Sequence, residues 1–274
     1  GIAWNGSMWV AVGHGTAYTI ATSTNGISWT GIDNTTFSTA GRGIAWNGAI
    51  WVAVGSGTNE IATSSDGITW TGVTGDSATV FDHSWGVAWN GSLWVAVGQG
   101  VGTNSIAYSY DGTTWIGLGT SIVGSRGRGI AWNGVRWVAV GDGGGHKIAY
   151  SYDGLTWFDA SDQPFGTGGV GIAWNGNQLA QIKIQQPTIA VGENTNDDRI
   201  AYSNDGIKWT VVNRSLFSTR GRCVAWNGTM WIAGGTGTTH TMAYSYDGIS
   251  WTGITGTSIF STIGRGIAWN GSIW

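Results

Sequence analysis

Charge is scarce in this chain. Lys, Arg, Asp and Glu together make up 10% of its 274 residues, and Glu appears only at Glu60 and Glu193. The net charge is −3, with no block of like charges. That excludes the basic stripe a nucleic-acid partner calls for and the basic amphipathic helix that lies on a membrane. No apolar run approaches the length needed to span a bilayer, and helical periodicity is missing throughout. With one cysteine, Cys223, no internal disulfide can form. Cys223 stands where other repeats carry Gly43 and Gly129, and reads as a small buried residue rather than a reactive thiol. The four histidines, His14, His83, His146 and His240, fall in links of different repeats, whereas a metal site needs ligands that converge. Neither metal nor cofactor is expected. Residue 1 is Gly and stands inside a repeat, so the chain is expected to be a segment of a longer one of unknown localisation, with an extracellular or virion surface as the working expectation.

What the chain has in abundance is glycine, 49 residues, and tryptophan, 20 residues. Both are periodic. The stretch Gly43-Ile44-Ala45-Trp46-Asn47-Gly48, followed by Trp51-Val52-Ala53-Val54-Gly55, keeps returning. Its first Trp recurs at Trp4, Trp46, Trp89, Trp132, Trp174, Trp226 and Trp269, at steps of 42, 43, 43, 42, 52 and 43 residues. A fixed period of about 40–50 residues with several short strands per unit marks a propeller or a solenoid. No unit can bury its apolar faces alone, so neighbours must stack.

Residues 41–83 serve as the reference unit. Arg42 to Trp46 reads as the first strand, and Asn47-Gly48 as a two-residue hairpin turn, because type I′ turns need positive φ. That turn would set Trp46 opposite Ala49 and Ile44 opposite Trp51. Trp51–Val54, Ile61–Ser64 and Trp70–Val73 read as the next three strands, with Asp66-Gly67 turning the last pair. Four short antiparallel strands in about 43 residues make one blade. The fold expected is an all-β propeller, a single domain over residues 1–274. It holds six complete repeats and half of another, with seven blades favoured over six. Repeat tryptophans at all three strand positions are expected to be buried between blades, and Phe37, Phe217 and Phe260 to wedge there. The fifth unit carries about nine extra residues, among them Gln181–Gln185, read as an extended first hairpin.

A second motif recurs at the turn between third and fourth strands: Ser23-Thr24-Asn25-Gly26, Ser64-Ser65-Asp66-Gly67 and Ser109-Tyr110-Asp111-Gly112, then Ser151-Tyr152-Asp153-Gly154, Ser203-Asn204-Asp205-Gly206 and Ser245-Tyr246-Asp247-Gly248. Each is followed three residues later by Trp. This resembles the Asp-box, or bacterial neuraminidase repeat, Ser-x-Asp-x-Gly-x-Thr-Trp, with a turn one residue shorter because Gly follows Asp directly. The resemblance implies a propeller in which the motif is structural, on the face away from any active site. Asn25, Asp66, Asp111, Asp153, Asp205 and Asp247 are thus expected to hold their own turns through backbone N–H bonds. The tandem Trp-rich pattern is also loosely similar to surface or virion proteins of large DNA viruses.

Variable links on a rigid scaffold are where binding usually lives. Arg42, Arg128, Arg222 and Arg265 immediately precede the innermost strand, and Trp85 takes that slot in the third unit and Val170 in the fifth. Guanidinium groups at a channel mouth can grip a carboxylate or phosphate in bidentate fashion, or can simply stack on an aromatic neighbour. Trp85 is the one Trp outside the repeat slots. Sialidase chemistry needs a Tyr nucleophile with a Glu partner beside an arginine triad, and no such acidic cluster breaks the repeat; Tyr108, Tyr150, Tyr202 and Tyr244 recur as strand residues. The sequence therefore points to a non-catalytic structural or protein-interaction propeller, part of a larger assembly. A multivalent glycan lectin is the alternative, and a sialidase-like hydrolase is less favoured. The ligand groups expected are Arg42, Trp85, Arg128, Arg222 and Arg265, and the partner a protein or a glycan.

Overall fold

The computed structural model describes residues 1–74, 80–100, 104–143, 146–161, 163–173, 187–193, 199–212, 216–238, 240–254, 260 and 263–274. Among these the secondary structure is entirely β, in six antiparallel groups of four strands. The first blade holds β1 (Ile2–Trp4), β2 (Trp9–Val12), β3 (Ile20–Ser23) and β4 (Thr30–Asp33). The second holds β5 (Ala40–Trp46), β6 (Trp51–Ser56), β7 (Ile61–Ser64) and β8 (Thr71–Gly72). The third holds β9 (His83–Trp89), β10 (Trp94–Gln99), β11 (Ile106–Ser109) and β12 (Ile116–Gly117), and the fourth β13 (Arg126–Trp132), β14 (Trp137–Asp142), β15 (Ile148–Ser151) and β16 (Trp157–Asp159). In the fifth are β17 (Gly168–Ala173), β18 (Thr188–Glu193), β19 (Ile200–Ser203) and β20 (Thr210–Val212), and in the sixth β21 (Arg220–Trp226), β22 (Trp231–Thr236), β23 (Met242–Ser245) and β24 (Thr252–Gly253). The molecule is a β-propeller.

First strands touch in ring order, β1 to β5, β9, β13, β17 and β21. Glycine permits this approach. A Cβ placed on Gly43 would stand 3.0 Å from the Gly86 Cα, and one on Gly129 3.3 Å from the Gly171 Cα. Between blades lie mixed apolar clusters. One joins Val52, Val54 and Ile61 of the second blade to Val87, Trp94 and Trp115 of the third, with Phe81 inserted from the link between them. Phe37, Phe81, Phe165 and Phe217 are fully buried, whereas Phe260 is exposed. The turns joining first to second and third to fourth strands share one face. Met8, in a turn of the first kind, lies against Gly67, in a turn of the second kind from the next blade. The remaining links share the other face, where the Asn59 amide donates to the Thr36 carbonyl at 2.8 Å.

Two expectations need correction. The first hairpin is not a two-residue turn: Trp46 pairs with Trp51 and Ile44 with Ala53. Asn47 Oδ1 accepts the N–H groups of Ala49 and Ile50, both at 2.8 Å, and Gly48 takes φ 100°, so four residues make the loop. An Asn side chain that bonds its own backbone two residues on can replace a tight turn. The second correction concerns tryptophan. Trp51, Trp94, Trp137 and Trp231, opening their second strands, are fully buried. Their first-strand partners Trp46, Trp89, Trp132 and Trp226 are only half-buried, and Trp29 is 39% exposed. Because Trp46 and Trp51 share a face at the edge of the pleat, the outer ring shields the inner one; their centroids are 4.9 Å apart at 47°. The fourth strand of the reference unit is also shorter than expected, spanning Thr71–Gly72. The extended hairpin around Gln181–Gln185 falls outside the described residues.

After β24 the segment Gly264–Trp274 repeats the first hairpin. Trp269 and Trp274 face each other at 5.3 Å, and Asn270 Oδ1 accepts the N–H groups of Ser272 and Ile273. At one end the Gly264 N–H donates to the Gly235 carbonyl of the sixth blade at 3.0 Å. At the other, Ile273 Cδ1 lies 3.1 Å from where a Cβ on Gly26 of the first blade would be.

Candidate functional site

The residues picked out by register turn out to share an unusual backbone position. In β5 the ladder skips from Gly41 to Gly43, leaving Arg42 unpaired. The same skip leaves Trp85 in β9, Arg128 in β13, Val170 in β17 and Arg222 in β21 without a partner. Each is the extra residue of a β-bulge, a device that bends the strand and re-aims the side chain. Gly41, beside the bulge of β5, lets the strand approach the first blade, because a Cβ there would stand 2.6 Å from Val12 Cβ. Sequence spacing located this slot but not the bulge that makes it distinct.

The bulged side chains of β5, β9 and β13 meet. The guanidinium carbon of Arg42 lies 5.2 Å from the Trp85 ring centroid, and that of Arg128 lies 4.7 Å from it, arriving from the blades on either side. Such contacts stabilise by about 0.5–2 kcal/mol depending on desolvation. His83 meets the same indole edge-on at 6.1 Å. The Trp85 indole N–H and Arg42 Nε are both buried without a hydrogen-bond partner among the described residues. Burial, then the charges of Arg128 and Arg265, lower the pKa of Arg42. Burial again comes first for Arg222, followed by Arg220 and Arg265, and lowers it too, with Glu193 opposing. The arginines therefore feel one another across the ring.

Carboxylates answer only part of this charge. In the five bulged blades the last residue of the second strand stands beside the bulge, and in the fourth blade it is Asp142. Arg128 Nε donates to Asp142 at 2.8 Å, and Arg126 Nε lies 3.2 Å from its other oxygen. Glu193 of the fifth blade pairs with Arg220 of the sixth. The equivalent residue is Ser56 in the second blade and Thr236 in the sixth, whose hydroxyl accepts from Arg222 Nε at 2.9 Å. Arg265 precedes the terminal hairpin and is exposed. Among the described residues, Arg42, Arg222 and Arg265 have no carboxylate partner.

On the opposite face the six Ser-x-Asp-Gly and Ser-x-Asn-Gly turns are nearly superimposable in their bonding. Asp66 Oδ1 accepts the N–H of Ile68 at 2.8 Å and of Thr69 at 2.7 Å; Asn25, Asp111, Asp153, Asp205 and Asp247 each accept the corresponding pair. Spacing drew attention to the acid, but the serine is as central. Ser64 Oγ accepts the Gly67 N–H at 2.8 Å while donating to Asp66 at 2.9 Å. Trp70 Nε1 then donates to the Gly67 carbonyl at 3.1 Å. These bonds hold Asp66 at a pKa of about 2, the Thr69 and Ile68 N–H groups contributing most.

Arg136 on this face was missed at the sequence level. The residue before the second-strand Trp is Met8, Ile50, Leu93, Met230 or Ile273 elsewhere, so an Arg there was the available signal. Its guanidinium lies 4.9 Å from the Tyr152 ring centroid and 5.8 Å from that of Tyr150. The histidines do not come together: His146 sits 3.1 Å from Asp159, while His83 is at Trp85. No metal-binding cluster occurs among the described residues. Desolvation pushes the Cys223 thiol up to about 12, its Sγ lying 3.8 Å from the Gly264 carbonyl oxygen.

No protein-family model matches the chain, and no curated protein matches it in sequence. Solved structures do match in shape. A structure of the mitotic checkpoint complex aligns over 93% of this chain and 77% of its own, with TM-score 0.65 and 14% identity. A nidogen–laminin complex aligns over 88% and 89%, with TM-score 0.61 and 13% identity. The computationally designed Ika8 protein aligns over 90% and 70%, with TM-score 0.56 and 12% identity. At these identities the likeness concerns the propeller fold alone.

Proposed function

We propose that this chain is a non-catalytic interaction propeller that engages a protein partner through the face carrying the bulges. One observation carries the reading: Trp85, the tryptophan outside the repeat, is flanked by Arg42 and Arg128 where the first strands converge. Tryptophan and arginine are the residues on which binding energy concentrates at protein interfaces. The presence of propeller-like chains in the nidogen–laminin and mitotic checkpoint assemblies is consistent with it. Catalysis finds less support. Glu193 is engaged by Arg220, and Tyr108 and Tyr150 lie on third strands, packed against interblade clusters.

The same reading takes the ring as one domain with seven positions, the hairpin Gly264–Trp274 opening the seventh. Its support is that Ile273 meets Gly26 as Met8 meets Gly67 and Ile50 meets Gly112. Kinship with the Asp-box repeat is supported by the Ser–Asp–Gly bonding at five of the six turns, Asn25 taking the place of Asp in the first.

A glycan-binding reading has its own observation. Tyr110, Tyr152 and Tyr246 occupy one turn position in three blades and are 65%, 53% and 65% exposed. Their rings stand ready to stack on sugars, but on the face opposite the arginines.

Peptide and glycan arrays probed with the native protein, Trp85→Ala and Arg128→Ala test these readings. Peptide binding lost in both variants is the expected result. Sugar binding that survives them and is lost in Tyr152→Ala favours the lectin, and turnover of a chromogenic sialoside overturns the non-catalytic reading.

A further inference from the structure

The bulge face contains its own example of what its arginines bind. In the fourth blade the slot arginine Arg128 is met by Asp142, the last residue of the second strand, which also neutralises Arg126. Arg220 of the sixth blade is met by Glu193, the residue at that same place in the fifth. Where the place is filled by Ser56 or Thr236, the arginine beside it, like Arg265, has no carboxylate partner among the described residues. The chain is acidic overall, with net charge −3, yet here it gathers cations close enough to disfavour one another.

Repulsion of this kind is costly to hold without a counter-charge. Solvent supplies some relief at exposed Arg265, but Arg42 has a buried Nε without a hydrogen-bond partner among the described residues. Arginine presents a planar fork that carboxylate oxygens match, and a charge-assisted bond of this type is about twice as strong as a neutral one.

Building on the interaction reading above, we infer that Arg42, Arg222 and Arg265 are docking points for carboxylate side chains of an acidic segment of a protein partner, which fill the places that Asp142 and Glu193 fill within the chain. Trp85 supplies an apolar plane between Arg42 and Arg128 against which the aliphatic part of such a segment lies. A peptide is favoured because the in-chain ligands are themselves Asp and Glu side chains, on arginines presented by separate blades.

The test uses the native protein and a hexaglutamate peptide, with hexaglutamine as the neutral control, followed by calorimetry. Hexaglutamate is expected to bind and hexaglutamine not to, with affinity falling about tenfold or more as salt is raised, because exposed charges are screened. Arg42→Gln and Arg265→Gln should each weaken binding several-fold. Two further substitutions act in opposite directions, which misfolding cannot imitate. Thr236→Asp supplies Arg222 with an in-chain carboxylate and should weaken binding, whereas Asp142→Asn frees Arg126 and Arg128 and should strengthen it. Arg136→Gln, on the far face, should change nothing.

Hexaglutamate affinity that ignores both Thr236→Asp and Asp142→Asn overturns the inference. So does failure of hexaglutamate to bind while an array peptide of neutral composition is held and then lost in Trp85→Ala; in that case the interaction face stands and only its ligand chemistry is wrong. Loss of peptide binding of every kind overturns both.

Discussion

Trp46 and Trp51 face each other across the first hairpin of the second blade, centroids 4.9 Å apart, yet only Trp51 is completely enclosed. The asymmetry predicts unequal costs. Trp51→Ala should destabilise by about 3–5 kcal/mol, as large-to-small core changes do, and Trp46→Ala by about half as much. The Trp51 indole N–H is buried without an acceptor, so Trp51→Phe loses no hydrogen bond and should cost only about 1–2 kcal/mol. Urea unfolding of the three variants checks the order. Equal losses for Trp46→Ala and Trp51→Ala would contradict it.

The turn acids make stability sensitive to acid. Asp66 is held at about 2, and Asp33 likewise, while Asp111, Asp153, Asp205 and Asp247 are also lowered. In those last four burial pushes upward most strongly, and the N–H bonds together outweigh it. A carboxyl whose folded pKa lies below its unfolded value of about 3.9 stabilises fully above that value. The contribution is lost as pH falls from about 4 through about 2. The contribution of these acids should therefore be constant above pH 5, and thermal melts should drop steeply below pH 4, by about the sum of several small terms.

Asparagine at the turn offers a cleaner probe, since Asn25 already fills this role in the first blade with the same two N–H bonds. Asp153→Asn should keep the turn and reduce the acid sensitivity contributed there. Asp153→Ala should lose the acceptor and cost about 1 kcal/mol at neutral pH. Melts of both variants at pH 7 and pH 3 separate the charge from the bond. Identical behaviour of the two would show that the acceptor is dispensable.

Crowding of arginines predicts a trade between stability and binding. Arg265→Gln removes one of the charges that lower the pKa of Arg42 and Arg222, and should be neutral to stabilising by up to about 0.5 kcal/mol at low salt. The gain should vanish in high salt. Destabilisation by Arg265→Gln at low salt would show that the ring is not electrostatically strained.

How legible all this was from sequence depends on the kind of interaction involved. Trp spacing, Asn-Gly and Asp-Gly gave the four-stranded blade and its ring order because each is a local, repeated signal. Register across the first hairpin was misread, since Asn47-Gly48 suits a two-residue turn, and only the bonds from Ala49 and Ile50 reveal a longer one. The half-burial of Trp46 depends on where the pleat meets solvent, which periodicity does not encode. Arg42, Trp85, Arg128 and Arg222 were found by comparing slots. That they are bulged residues, and that Asp142 answers one of them, requires two strands to be seen at once.

The line of inner-strand glycines has a consequence for how such a chain can grow. Gly43 lies against Gly86 and Gly129 against Gly171, backbone to backbone, and the apolar clusters join each blade to its neighbours. A duplicated unit of about 43 residues can therefore be inserted without altering any existing core, as in other repeat arrays. What limits insertion is circumference. Every unit adds the width of one bare strand at the axis, and a side chain in that slot adds more. Cys223 replaces glycine beside the terminal hairpin, its Sγ 3.8 Å from the Gly264 carbonyl oxygen. A side chain in that slot must find room between first strands, so growth of the array is restrained at one position per repeat.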